Sequence, residues 1–454
     1  LEKIVLTEEM IKTASGRKFA GWGTSLAWWA NVIGRWRDED KKQAICDLIF
    51  SLPKGLGLTI VRYNFGAGEP GKEPANFRVG ANIECYGQGP AKWDMDRDGG
   101  QRWILQEAIK RGANQTEAFF NSPPLWLLAC PSTAGADYGQ NNLLPEQEAA
   151  FAEYVAELLN QFAAAYQIRF HSLSLFNEPS SMWWQSDNDQ EGCHYSVAQQ
   201  ERLLCLMQQK IKEGGLYPLT LSGPEGWSVF ESISMYNDLS EAARAALGRI
   251  STHTYLADDR ARKALCRLAQ KEKKPLWMSE VCLAQEGAQE PAAMASGLRI
   301  AKAIMADFAY LRPEAWVYWQ AVENKNLNHN YGFIQAGYDE KEEYHITKSF
   351  YVFGQFTRFI RPGMLLPEHL PENGIIAYDP VENKAVCVLL NETAAEKSCC
   401  IESGQDIVQA AAVITSEGKD MQPYSIDKNE REVRLILPAQ SILTVEIFWT
   451  KEQA

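Results

Sequence analysis

Nowhere in the 454 residues do about 18 uncharged apolar residues run together, so no membrane-spanning helix is predicted. Basic excess is missing too. The 45 Lys and Arg are outnumbered by 58 Asp and Glu, a net charge of −13. That argues against nucleic acid and anionic membranes as partners, since both need a basic footprint, and it disfavours strongly acidic polymers as substrates. Ten cysteines are present, but none forms a C-x-x-C pair, so zinc-site and thioredoxin-like readings fail. Several sit in apolar patterns, as Cys205 does in Leu203-Leu204-Cys205-Leu206-Met207. Free buried thiols favour a reducing compartment. The opening Leu1-Glu2-Lys3-Ile4 does not read as a signal peptide. With no Met at its head, the chain says little about export. There is no H-E-x-x-H and no G-x-S-x-G, and neither an internal repeat nor a low-complexity stretch.

Two further motifs fail on inspection. Residues 66–71, Gly-Ala-Gly-Glu-Pro-Gly, match the dinucleotide fingerprint and nearly match a P-loop. Both need a helix N-terminus behind the glycines. Pro70 and Pro74 deny one, and Glu69 and Glu73 repel phosphate, so a glycine-rich loop is expected. Asp94–Gly99 opens like an EF-hand loop, but Leu105 stands where the bidentate Glu belongs. A polar turn before a helix over 101–112 is expected instead. Asn114 and Asn391 begin glycosylation sequons, and Asn114 is expected to be too buried for modification.

What the chain has in quantity is aromatic residues: 14 Trp, 17 Tyr and 18 Phe. They are unevenly placed. Residues 365–454 hold only Tyr378, Tyr424, Phe448 and Trp449. This shift marks a boundary near Pro362-Gly363. Before it, short apolar runs near 19–24, 58–64, 116–121, 171–176, 218–222, 249–254, 275–279 and 314–319 each precede a helical pattern. Over 145–166, Pro145 starts a helix with Phe151, Val155, Leu158, Leu159, Phe162 and Tyr166 on one face. Ser196 and Gln199 form a capping box before a second one. Eight strand–helix alternations predict an α/β fold, a (β/α)8 TIM barrel, rather than an open doubly wound sheet. After the boundary, Lys384–Asn391, Ile407–Thr415, Glu432–Leu437 and Ile442–Phe448 read as strands of an all-β sandwich, to which Lys3–Thr13 adds a strand. The domains expected are residues 17–361 for the barrel and 1–16 plus 362–454 for the appended sandwich.

Chemistry in such barrels sits at the C-terminal strand ends. Those ends carry Arg62 and Asn64, Ser122-Pro123-Pro124-Leu125-Trp126, Asn177-Glu178-Pro179, Glu225, His253 and Tyr255, Glu280, and Trp319-Gln320. Two carboxylates among Trp, Tyr, Asn and Arg suit glycoside hydrolysis, which needs one acid for the leaving oxygen and one carboxylate across the sugar. Taken singly, Glu280 or Glu225 reads as structural; Asn-Glu-Pro after one strand and Ser-Glu after another is far more specific.

Here the sequence resembles the clan A retaining glycosidases, specifically glycoside hydrolase family 30. The resemblance spans nearly the whole chain and includes Val317-Tyr318-Trp319 and Arg358-Phe359-Ile360-Arg361-Pro362-Gly363. Within the family, Gly21-Trp22-Gly23-Thr24-Ser25-Leu26-Ala27-Trp28-Trp29-Ala30 and Gly99-Gly100-Gln101-Arg102-Trp103 are similar to the endo-β-1,6-galactanase branch. The resemblance implies Glu178 as general acid/base and Glu280 as nucleophile, with Arg62 and Tyr255 holding Glu280. It implies Asn177 at the sugar 2-hydroxyl, Trp126 and Trp319 as aromatic walls, and no metal or organic cofactor. Asn64 joins them as a substrate-binding candidate at a strand end. His253 either touches substrate or orients neighbours. Glu69 and Glu225 bind hydroxyls or form loop salt bridges, and Trp28, Trp29, Trp183 and Trp184 line outer subsites. The expected partner is a neutral β-linked oligo- or polysaccharide. Three readings remain: a β-1,6-galactan hydrolase, an exo-acting β-glycosidase with the same mechanism, and a non-catalytic carbohydrate-binding protein. The loops 66–93 and 180–195 decide between the first two by opening or blocking the cleft.

Overall fold

The computed structural model describes residues 2–7, 17–69, 74–87, 89, 92–283, 294–325, 331–339 and 341–450. A short strand β1, Glu2–Leu6, precedes a closed barrel of eight parallel strands in chain order. These are β2 (Gly21–Ser25), β3 (Ile60–Asn64), β4 (Gln115–Phe119), β5 (Ser172–Ser174), β6 (Thr220–Gly226), β7 (Arg249–His253), β8 (Leu276–Glu280) and β9 (Ala315–Gln320). The barrel closes where β9 pairs with β2. Its strands are covered on both faces, which is why they read as continuous runs rather than alternating ones. All eight predicted runs became strands, displaced by a few residues at their ends.

The helix predicted from Pro145 begins with a 3-10 turn over Pro145–Gln147 and continues as Glu148–Tyr166. Phe151, Val155, Leu158, Leu159 and Phe162 are buried. The capping box at Ser196 is only half made. Ser196 Oγ accepts from the Gln199 N–H, but the Gln199 amide turns away to Leu143 O and Glu148 Oε1, both at 3.0 Å. Asn141 Oδ1 takes the Ser196 N–H instead, at 2.7 Å. A residue far along the chain displaced the local partner. The helix expected over 101–112 spans Gly99–Lys110, and the Asp98 before it is buried against Tyr63 and Gln101 rather than sitting in a solvated turn. Asn114 is exposed, against expectation, because it lies just before β4. Gly66 and Gly68 allow close packing on the 81–85 segment: a Cβ at Gly66 would meet Ile83 O at 2.1 Å. The remainder of the expected glycine loop, 70–73, lies outside the described residues.

Beyond the barrel, two sheets face each other over a second core that includes Ile4, Leu6, Cys387, Ile401, Ile414, Val433 and Val445. One sheet has five strands, Gly374–Asp379, Lys384–Asn391, Ser441–Trp449, Ile407–Ser416 and Lys419–Pro423. The other has four, with β1 parallel to Lys397–Ser403, followed by Glu432–Leu437 and Asp427–Lys428. Both ends of the chain thus build this unit; of the strand expected over Lys3–Thr13, residues 8–13 lie outside the described residues. The last barrel helix, Lys348–Thr357, packs on the five-stranded sheet. Its buried Gln355 donates to Thr415 Oγ1 at 2.9 Å and accepts from Thr444 Oγ1 at 2.6 Å. Replacing Gln355 with Leu removes one partner from each hydroxyl, leaving Thr444 its bond to Gln355 O and Thr415 its bonds with Tyr351 O and Met421 N–H. We expect a loss of about 0.5–1.5 kcal/mol per bond removed, read as a lower thermal unfolding midpoint. An unchanged midpoint would mean that these bonds do not hold the two units together.

Candidate active site

Arg62 lies on β3 inside the barrel and is completely buried. Its Nη1 donates to Glu280 Oε2 at 2.8 Å and to Ser25 Oγ at 3.3 Å, and its Nε donates to Glu117 Oε1 at 3.2 Å. Glu117, on β4, also pairs with Arg249 of β7 and accepts from Ser172 and Ser222. These contacts lock the guanidinium below the C-terminal strand ends and aim it at Glu280. Tyr255 completes the hold, with its hydroxyl 3.2 Å from Glu280 Oε1.

Glu178 sits across from Glu280, just beyond β5, in left-handed backbone at φ +49. A non-glycine residue there is strained and needs outside support. Its N–H donates to Glu225 O at 2.9 Å, and Trp184 Nε1 donates to Glu178 O at 2.9 Å. Glu225 itself has φ +62. Between the acids stands His253, fully buried, with Nδ1 3.0 Å from Glu178 Oε1 and 3.6 Å from Glu280 Oε1. Its Nε2 is 3.3 Å from Glu225 Oε2. One oxygen of each acid and one His253 nitrogen lie within 4.8 Å of one another. A divalent cation among these three would face Arg62, which with His253 already supplies the local positive charge.

The environments of the acids differ. Burial raises the Glu178 carboxyl, and the charge of Glu280 raises it further against the opposing pull of His253. Burial alone would raise Glu225 as well, but His253, Arg62 and Ser279 bring it below its ordinary value. Burial works against the His253 charge, yet Glu280, Glu178 and Glu225 carry it up to about 10.

The two acids open into a cleft of about 580 Å³. Of the expected residues, it brings together Glu178, Glu280, Asn177, Tyr255, Trp28, Trp319, Trp183 and Trp184. Trp28 and Trp319 meet edge to face at 5.1 Å. Asn177 Oδ1 is buried without a hydrogen-bond partner. Arg62, Glu225 and His253 lie beneath the cleft, so the contact open to His253 is with the acids. Asn64 is buried and absent from the walls, its N–H and carbonyl both taken by Gln101. Trp29, expected at an outer subsite, is a core residue whose indole donates to Ser25 O at 2.9 Å. Helical periodicity turns it away from its neighbour Trp28. Trp126 is not a wall of this cleft either. It lines a separate cavity of about 680 Å³ with Trp93 and Tyr154. Glu69 is exposed and outside the walls.

Sequence reasoning missed Trp227, two residues past Glu225, whose strand-end position was the available signal. It also missed Arg78 and Asp189. They pair at 2.5 Å, and Arg78 stacks over Trp28 at 4.6 Å, joining the two loops beside the cleft. The contact spans 111 residues and left no local mark. Tyr331 and Cys282 were missed as well.

An O-glycosyl hydrolase family 30 model matches residues 8–232. An endo-beta-1,6-galactanase of Hypocrea rufa is 31% identical over 403 residues, covering 84% of this chain and 80% of that enzyme. The chain belongs to glycoside hydrolase family 30. This family 30 protein is therefore a retaining O-glycosyl hydrolase with a carbohydrate substrate. It also matches an exo-beta-1,6-galactobiohydrolase of Bifidobacterium longum subsp. longum, 23% identical over an alignment of 411 residues that covers 67% of this chain and 26% of that one. The catalytic domain of GH30 xylanase C from Talaromyces cellulolyticus superposes with a TM-score of 0.75 at 18% identity, covering 98% of this chain and all of that one, and shares the fold.

Changing Glu280 to Gln in this glycosidase removes a like charge from beside Glu178. The Glu178 carboxyl is then expected to titrate at lower pH, followed by carbon NMR of labelled carboxyls. An unmoved titration would leave burial and the more distant Glu231 charge as its causes. The stability due to the raised His253 is fully present below its ordinary value of 6.5 and is lost as pH rises through about 10. His253→Gln should flatten that alkaline loss in thermal melts.

Proposed function

We propose that this glycosidase cleaves β-1,6-linked galactan by double displacement, with Glu178 as acid/base and Glu280 as nucleophile. The observation that carries this reading is the unequal treatment of two acids across one cleft. Arg62 and Tyr255 hold and orient the Glu280 carboxyl, while burial and the Glu280 charge raise the pKa of Glu178. Retaining enzymes hold the pair about 5–5.5 Å apart, close enough for direct attack on the anomeric carbon. Glu178 protonates the interglycosidic oxygen as Glu280 forms the glycosyl ester. Esterification removes the Glu280 charge, so Glu178 loses one source of its raised pKa. It can then take the proton of the incoming water. Asn177, with its free buried amide oxygen, is placed to accept from a sugar hydroxyl, and Trp28 and Trp319 offer apolar rings to pyranose faces. No step uses a metal or organic cofactor.

The β-1,6-galactan assignment is supported by identity with the Hypocrea rufa enzyme along most of the chain. Exo action is the second reading, favoured by the Arg78–Asp189 pair, which narrows the cleft beside Trp28. We further propose that residues 17–361 form the catalytic barrel and that 1–16 and 362–454 form the side domain.

The test is product analysis on β-1,6-galacto-oligosaccharides of several lengths, with proton NMR of the first anomer released. A ladder of short products in the β configuration is expected. A single mono- or disaccharide product supports exo action, and no cleavage of any galactoside refutes the substrate. Glu280→Gln should lower kcat by about 10³-fold or more with the fold intact. Near-normal turnover in that variant removes Glu280 as nucleophile.

A further inference from the structure

At the end of the barrel opposite the cleft, the residues that lead into three strands surround a cavity of about 430 Å³. Arg17 precedes β2, Lys274 precedes β8, and Arg312 and Glu314 precede β9. Arg17 is the anomaly among them. Its Nε, Nη1 and Nη2 are all buried, and none has a hydrogen-bond partner. A buried guanidinium normally meets a carboxylate or several carbonyls, because an unpaired buried cation is strongly unfavourable. Burial, with the like charge of nearby Arg312, lowers the Arg17 pKa to about 10.

The neighbouring acids do not resolve the imbalance. Glu368 is taken by Arg312 Nη2 at 3.2 Å, while Arg312 Nε is itself buried and unpartnered. Glu314 attracts Arg17 without hydrogen-bonding its guanidinium, and burial outweighs that pull in raising the Glu314 carboxyl. Lys274 spends its ammonium on the carbonyls of Arg244 and Leu247. Lys273 stands exposed on the rim. The cavity therefore presents a guanidinium with its fork of donors unused, a second with a free N–H, and excess positive charge in a chain that is acidic overall.

We propose that this cavity is an oxyanion site that takes a phosphate group, either inorganic phosphate or the phosphate of a small ester. Parallel N–H groups of guanidinium match the oxygen spacing of such anions. The site also lies at a seam. Arg17 O accepts from Leu366 N–H at 3.1 Å, and Phe19 N–H donates to Met364 O at 2.8 Å, so the chain enters and leaves the barrel here. A bound anion ties that seam and acts on stability rather than turnover, as befits the face of a barrel remote from the chemistry.

The test is thermal unfolding of the full chain at pH 7 in inorganic phosphate and in sodium chloride of equal ionic strength, with calorimetric titration of phosphate. A saturable rise of a few degrees specific to phosphate is expected, and Arg17→Gln should abolish it. Lys273→Ala, on the exposed rim, should keep the fold and weaken phosphate several-fold. A hexose monophosphate run in parallel identifies the source: tighter binding than phosphate points to an ester, weaker binding to the free ion. A midpoint that responds to ionic strength alone overturns the proposal. So does a phosphate response that Arg17→Gln leaves unchanged, or phosphate affinity that Lys273→Ala leaves unchanged.

Discussion

A guanidinium cut off from water inside a barrel must be matched by acceptors or the fold pays heavily. Arg62 is matched by Glu117, Ser25 and Glu280, with Glu225 3.8 Å from its Nη2. Each partner comes from a different strand of the barrel: β2, β4, β6 and β8. The interaction therefore acts as a register gauge for the C-terminal end. If β3 slipped by one residue, Arg62 would point toward the helices and Tyr63 into the charge cluster. The Glu280 position follows from the Arg62 position, and the raised Glu178 carboxyl follows from burial and from the Glu280 charge.

The same cluster explains why two glutamates tolerate left-handed backbone. Glu178 and Glu225 are tied to each other by a backbone bond, and their side chains are both held by His253. Strain at such positions persists only where surroundings over-determine it. Here the histidine links the acid that faces the cleft, 8% exposed, to one that is wholly buried. His253 thus acts through its neighbours, as a positioning residue, and the aromatic walls above it are left to meet the sugar. Burial also sets which aromatics serve. Trp183 is 42% exposed, whereas Trp29, adjacent to a lining residue, is spent on the core.

The side domain contributes stability by covering the last barrel helix. Its strands carry few aromatics, and its core is aliphatic and thiol-rich, with Cys387 and Cys399 buried as free thiols. The barrel core runs on into the five-stranded sheet through Ile375, Val386, Val388, Leu390 and Ile442, and polar groups such as Gln355 and Lys348 are bonded across the same junction.

The barrel was legible because its evidence is local. Strand length, apolar continuity and the helix that follows are properties of ten or twenty neighbouring residues, and they place Glu178, Glu280, Arg62 and Tyr255 at strand ends without further information. The side domain was read less fully: strand Lys397–Ser403 was missed because Cys399, Cys400 and Ile401 break the alternation that marks a half-buried strand. What escaped the sequence depends on partners remote along the chain. Arg78 with Asp189, the Gln199 amide turned to Leu143, and Trp126 facing Tyr154 and Trp93 are of this kind. So is the charge on His253, which arises from three carboxylates on three other segments. By itself the sequence determined the strand order and the residue types at each strand end, because backbone periodicity and covering apolar runs dictate them. Only the tertiary structure decided which of those side chains face sugar, which face one another and which carry protons, because direction, burial and electrostatic field are set by neighbours that meet only after the barrel closes.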